Sequence, residues 1–187
     1  MYSRINFFKE AVKNIKTLGT IAPSSRFLSK KMLRKIDFQK AEVLVELGPG
    51  NGAITNYILE SLAPNATLIC FEINDNFYHQ LKKINHPQLI VLKACAEKIE
   101  EELAKLNIYK VPYIISSLPL TIIPDEVSDE ILKKSFNILE NNGTFIQYQY
   151  SLTYYKKLKK VFKDAILLEF EPLNIPPAFI YHCKKVK

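Results

Sequence analysis

With 187 residues, 48% of them apolar, the chain is long enough for one sizeable core and one domain. No apolar run approaches the length needed to span a bilayer, and Arg4, Lys9, Glu10 and Lys13 interrupt the N-terminus, which argues against a secretory signal. The net charge of +7 is concentrated: residues 1–35 hold nine Lys/Arg and the single acid Glu10, while the rest of the chain is close to neutral. An attraction for a polyanion, either nucleic acid or an anionic membrane surface, therefore belongs to the N-terminal segment.

In chain order, Ile5, Phe8, Val12 and Ile15 recur at helical spacing and predict an amphipathic helix over about residues 3–17, widened by Phe7 and Ala11. Gly19 to Pro23 breaks it. Ser24 or Ser25 then caps a second, basic helix carrying Phe27, Leu28, Met32, Leu33 and Ile36. From there strands, at about 42–47, 66–71, 88–94, 111–117 and 143–150, alternate with helices at about 53–62, 75–84, 97–107, 125–140 and 153–163. Two last strands, at about 165–171 and 178–186, are joined through Pro172, Pro176 and Pro177 without a helix, which suits an antiparallel pair. This order predicts an α/β fold: a mostly parallel sheet with an antiparallel last strand and helices on both faces. Residues 1–36 read as a basic helical segment packed on one domain, residues 37–187. Cys70, Cys95 and Cys183 are scattered and odd in number, which suits a reducing cytoplasm; neither they nor His79, His86 and His182 have metal-ligand spacing.

The chemistry starts at Val43-Leu44-Val45-Glu46-Leu47-Gly48-Pro49-Gly50-Asn51-Gly52. A β-branched apolar run ends in an acid, and three alternate glycines precede a helix. Glycines at that corner let the chain turn sharply and let a ligand lie against bare main chain, next to the unpaired N–H groups of a helix start. The spacing is G-x-G-x-G, whereas the dinucleotide fingerprint is G-x-G-x-x-G. A second buried strand, Leu68-Ile69-Cys70-Phe71-Glu72, ends in a carboxylate twenty residues after Gly52, suited to accept from both hydroxyls of a ribose. Together the two segments resemble motif I and its partner acid in the class I S-adenosylmethionine (SAM)-dependent methyltransferases, whose Rossmann-like sheet has seven strands. The resemblance implies SAM as cofactor.

The substrate side lies after the fourth strand, at Ser116-Ser117-Leu118-Pro119-Leu120. Adenine-N6 and rRNA adenine methyltransferases carry an Asn or Asp there, then Pro and an aromatic that stacks on the flipped base. Ser117 and Leu120 occupy the amide and aromatic positions. The Ser-x-Leu-Pro-Leu form instead resembles the bacterial phospholipid N-methyltransferases acting on phosphatidylethanolamine. Three further segments carry that resemblance: Ile21-Ala22-Pro23-Ser24-Ser25-Arg26, Gly143 to Tyr150 with its Gln147-Tyr148-Gln149-Tyr150, and Asn174-Ile175-Pro176-Pro177-Ala178.

The resemblance places the cofactor against Glu46, Gly48, Gly50, Gly52, Glu72 and Ile73. It adds Cys95, Ala96 and Ser116, and Ser25 and Arg26 near the methionine carboxylate. Cys95 stands where many relatives have an adenine-reading Asp, so a backbone group or Glu97 takes that role. Ser116, Ser117, Leu118, Pro119 and Tyr150 form the catalytic set, with Ser116, Ser117 and Tyr150 as proton relays. Tyr148 and Tyr150 offer faces to a methylated ammonium. The implied function is N-methylation of a phospholipid amino headgroup by a cytoplasmic protein, peripheral on an anionic membrane through its N-terminal helix. Two other readings remain: RNA or rRNA adenine methylation, with RNA as partner, and a non-catalytic SAM- or RNA-binding module. Oligomeric state is left open.

Overall fold

A computed structural model describes residues 25–186. The helix expected over 3–17, and the Ile21 to Ser24 part of the N-terminal signature, lie outside them. Of the two capping candidates, Ser25 caps α1 (Arg26–Leu33): its Oγ accepts from the Leu28 N–H at 3.2 Å. The helix ends before Ile36, whose N–H bonds back to the Leu33 carbonyl while its side chain stays buried.

The alternation expected from the sequence follows: β1 (Val43–Leu47), α2 (Ala53–Leu59), β2 (Thr67–Phe71), α3 (Asp75–Leu81) and β3 (Leu89–Leu92). A 3₁₀ turn (Ala96–Lys98) leads into α4 (Ile99–Ala104), followed by β4 (Val111–Ser116), α5 (Asp125–Ile138) and β5 (Leu139–Gln149). The chain closes with α6 (Tyr155–Phe162), β6 (Ile166–Glu171) and β7 (Ala178–Lys184). The seven strands form one sheet in the order β3-β2-β1-β4-β5-β7-β6. All neighbouring pairs are parallel except those of β7, which runs antiparallel to β5 and β6.

Strand alternation divides the apolar side chains between two cores. Val45 and Leu47 of β1, with Ile69, Phe71 and Ile114, pack under α4, α5 and α6 through Leu103, Ile131 and Leu158. Leu44, Leu68, Cys70, Ile115 and Ile146 pack on the opposite face under α1, α2 and α3 through Met32, Ile58 and Leu81. Helices therefore cover both faces. α1 is also tied to β6: Lys31 pairs with Glu171 at 2.9 Å, and Arg34 pairs with Glu169. Two of the nine basic groups expected to attract a polyanion are thus engaged within the fold.

The largest departure from the expected elements is at β5. The sequence predicts a helix through residue 140 and a strand from 143. Instead the helix stops at Ile138, Leu139 is already extended, and the strand begins there. The Asn141-Asn142-Gly143 stretch, with Asn142 at φ 67°, is absorbed as an irregularity that shifts register between the Val111↔Leu139 and Tyr113↔Thr144 pairs.

Candidate functional site

The expected residues converge at the carboxyl end of the parallel strands, where β1, β2 and β4 end side by side. Their ends are bonded together: the Gly48 N–H donates to Phe71 O at 3.0 Å, and the Ser117 N–H donates to Leu47 O at 2.9 Å. Gly48 and Gly50 have φ of 66° and 59°, the left-handed region that disfavours a side chain. A Cβ on Gly50 would meet nothing closer than the Phe77 ring edge at 3.9 Å, so the main chain there borders open space. A Cβ on Gly48 would lie 2.7 Å from Leu118 Cδ2, so Gly48 lets the β4 loop close against the β1 loop.

Glu72 lies beside this corner. Its Oε2 accepts from the Gly50 N–H at 3.1 Å and its Oε1 from the Asn74 N–H at 2.7 Å. These bonds fix the carboxylate beside the open main chain at Gly50. Ile73 follows it, half-buried. Glu46 is placed differently. It shares the face of Leu44 and turns into the protein, fully buried. Thr55 Oγ1 donates to its Oε2 at 2.7 Å and Cys70 Sγ lies at 3.4 Å, while Oε1 has no partner among the described residues. Burial pushes its pKa up to about 7, against the lowering effect of the Thr55 and Cys70 hydrogen bonds. Cys95 and Ala96 are buried after β3, with Cys95 Sγ donating to Glu97 Oε2 at 3.4 Å. Burial also raises the Cys95 thiol to about 11, so it stays protonated and donates.

On the substrate side, Ser116 is buried and its Oγ accepts from the Leu118 N–H at 3.4 Å. The Ser117 hydroxyl is buried with no partner among the described residues. Half-buried Pro119 carries a carbonyl that accepts from the Ile122 N–H at 2.9 Å. The Leu118 carbonyl accepts from Gln147 Nε2 at 3.1 Å and from Gln149 Nε2 at 3.2 Å. The sequence alone does not mark this pair of amides as functional. The available signal was two glutamines on one side of an otherwise apolar, buried strand, since buried amides require partners.

The opposite side of β5 carries Tyr148 and Tyr150, whose rings meet edge-on at 5.7 Å. Burial, then Tyr148, push the Tyr150 phenol well above its ordinary value, against a lowering influence of nearby Asn174. Tyr150 is therefore a neutral hydroxyl at physiological pH. Asn174 is buried; its Oδ1 accepts from the Ser25 N–H at 3.0 Å and its Nδ2 donates to Pro176 O at 2.7 Å. The neighbouring Arg26 is exposed, its guanidinium 4.8 Å from the Phe27 ring centroid, with no carboxylate partner among the described residues.

These residues fit an adenosyl cofactor. They combine a bare main-chain cradle, an oriented carboxylate beside it and an orphaned buried carboxylate oxygen below it.

No protein-family model matches the sequence. The chain is 30% identical over 183 residues to the ornithine lipid N-methyltransferase of Singulisphaera acidiphila, spanning 97% of this chain and 93% of that protein. It is 26% identical over 164 residues to the ribosomal RNA small subunit methyltransferase A of Mesomycoplasma hyopneumoniae, covering 79% of this chain but 60% of that one. Among solved structures, a SAM-dependent methyltransferase from Aquifex aeolicus superposes with a TM-score of 0.67 at 13% identity, over 93% and 98% of the two chains. A putative rRNA methylase from Clostridium thermocellum superposes with a TM-score of 0.64 at 16% identity, over 87% and 97%. The chain belongs to the class I SAM-dependent methyltransferases, in the family of the ornithine lipid N-methyltransferase, and SAM is its methyl donor.

Proposed function

We propose that this methyltransferase transfers methyl groups to the primary amine of a lipid headgroup, of the ornithine-lipid or phosphatidylethanolamine type, at a membrane surface. The observation that carries the reading is the similarity along 97% of the chain to an ornithine lipid N-methyltransferase. The substrate loop supports it. Leu120, at the position where adenine methyltransferases hold a stacking aromatic, is buried in the core beneath α5 and offers no face to a base.

SAM supplies an activated methyl on a sulfonium, so the protein's task is alignment and proton removal. In this reading Gly48, Gly50 and Gly52 bring main chain against the cofactor, Glu72 accepts from the ribose hydroxyls, and Ile73, Cys95 and Ala96 border the adenine. Ser25 and Arg26 face the methionine carboxylate, and the free Glu46 oxygen faces the amino end. The amine must lose its proton as it attacks. The Leu118 carbonyl already accepts two amide donors, and the Ser116 hydroxyl already accepts one backbone donor. Ser117 Oγ is the unengaged hydroxyl of the loop and takes the proton toward water, with Tyr150 as a neutral second relay. Leu118 and Pro119 hold the loop rigid. Residues 1–36 supply the basic groups that meet anionic lipid, with residues 26–36 packed on the catalytic domain of residues 37–187. Among the described residues no helix is long and apolar enough to cross a membrane.

The test is to incubate the protein with methyl-labelled SAM and separate lipids, RNA and small amines. Label in the aminolipid fraction is expected; label in RNA adenine would overturn the reading.

A further inference from the structure

Resting on that lipid reading, we propose that the loops at the carboxyl end of the sheet form an apolar rim that seats the mouth of the site on an anionic lipid bilayer. Four large apolar side chains on three separate loops stand out there. Ile122 is 52% exposed, Leu152 47%, Leu173 60% and Ile175 81%. The loops lie together. Gln149 holds the Leu118 carbonyl, Asn174 lies near enough to Tyr150 to influence its phenol, and the Tyr181 hydroxyl donates to Ser151 O at 3.2 Å. Ile122 follows the substrate loop by two residues, and Leu152 follows Tyr150 by two. The rim therefore borders the residues that would receive the amine.

Charge decides what occupies it. Residues 117–123, 150–155 and 172–177 contain no acid. The exposed groups beside them include Arg26 and Lys30 on α1, which starts at the Ser25–Asn174 bond, and Lys156 on α6; the acids Asp125 and Glu126 at the start of α5 are exposed too, and Asp125 is paired with Lys157 at 2.7 Å. Apolar side chains on acid-free loops, with exposed cations on α1 and α6 beside them, complement an interface of acyl chains and anionic headgroups. A headgroup amine held in a bilayer also reaches the site only if the mouth touches that bilayer. The exposed apolar Tyr109, 66% exposed, lies just before β4 at the opposite end of the sheet.

Ile175→Cys labelled with an environment-sensitive fluorophore reports the contact, because Cys70, Cys95 and Cys183 are all buried and label poorly. A blue shift is expected with phosphatidylglycerol-containing vesicles and little with pure phosphatidylcholine. A label already blue in buffer and unmoved by vesicles would mean that the N-terminal segment or a second copy covers the rim, and would overturn the proposal. Leu173→Glu plus Ile175→Glu should lower anionic vesicle affinity by about tenfold or more, through lost apolar burial. SAM affinity should be unchanged. Methylation of phosphatidylethanolamine or ornithine lipid should fall when the lipid is in those vesicles and persist when it is dispersed in detergent. Tyr109→Glu should change none of these. Wild-type vesicle binding by the double variant, or an equal loss in Tyr109→Glu, overturns the rim. Wild-type protein that binds vesicles through the rim but methylates neither lipid in detergent overturns the substrate reading alone.

Discussion

The Ser25 N–H donates to Asn174 Oδ1 at 3.0 Å across 149 residues of sequence, joining the start of α1 to the turn between β6 and β7. The same amide holds Pro176 O and lies near enough to Tyr150 to influence its phenol. Three segments that sequence comparison marks separately thus meet in one buried side chain. Asn174→Ala should leave the Ser25 N–H and the Pro176 carbonyl unsatisfied, costing roughly 1–3 kcal/mol for each group that water cannot reach. If Ser25 and Arg26 border the cofactor, SAM affinity should fall as well. Urea unfolding and calorimetric titration of the variant check the two effects separately; unchanged affinity in a destabilised variant would place the N-terminal segment away from the cofactor.

Glu72 accepts two backbone N–H groups and is poised beside the open main chain at Gly50. Glu72→Gln keeps the size but replaces one acceptor oxygen with a donor. SAM binding should weaken by roughly 1.5–3 kcal/mol, the range for hydrogen bonds to a charged group. Calorimetry giving wild-type affinity would remove Glu72 from the site.

The amides of Gln147 and Gln149 converge on one carbonyl oxygen, that of Leu118. They act through the loop, so they are positioning residues. Gln149→Leu should reduce kcat by about tenfold or more, because displacement of the reacting groups by a fraction of an ångström is costly. SAM affinity should stay near wild type, since the clamp acts on the substrate loop and not on Glu72 or the Gly50 main chain. Gln149→Glu cannot donate from its carboxylate and should not rescue. Single-turnover kinetics with wild-type rates in Gln149→Leu would show that the clamp does not position the reacting groups.

Much of the fold was legible in sequence because its signals are local. Alternating apolar strands and capped amphipathic helices placed every strand of the sheet, and Ser25 was a foreseeable N-cap. Glycine spacing and the two strand-end acids marked the corner where β1, β2 and β4 finish. Long-range pairings were not legible. Neither Asn174 with Ser25, nor Gln149 with Leu118, nor Lys31 with Glu171 leaves a trace at one residue's own position. The early start of β5 was missed because Asn141-Asn142-Gly143 is a turn signal locally, while pairing with β4 turns it into a strand irregularity. In sequence, Glu46 and Glu72 both read as strand-end acids of the cofactor site, with the ribose assigned to Glu72. They differ because one is inside the sheet face and the other just beyond the strand.

That difference in placement predicts a pH signature. The buried Glu46 carboxyl has its pKa raised to about 7 from an unfolded value of 4.5. The folded state then holds a proton that the unfolded state has lost, so its contribution is full below about pH 4.5 and falls as pH rises toward 7, by about 3 kcal/mol in all. His182 works in the opposite sense. Burial lowers it to about 4, helped by Lys35 and Arg34. Glu169 lies 3.0 Å from its Nε2 and is also paired with Arg34. Stability from the neutral imidazole is therefore lost as pH falls from 6.5 toward 4. The two slopes oppose each other across pH 4.5–6.5, and the wild-type curve there should be nearly flat. Glu46→Gln removes one of them. Its stability should rise relative to wild type by about 2–3 kcal/mol between pH 5 and pH 8 in cofactor-free urea unfolding. Parallel curves for the two proteins would show that Glu46 is ionised in the folded state at pH 5 and that burial does not control it.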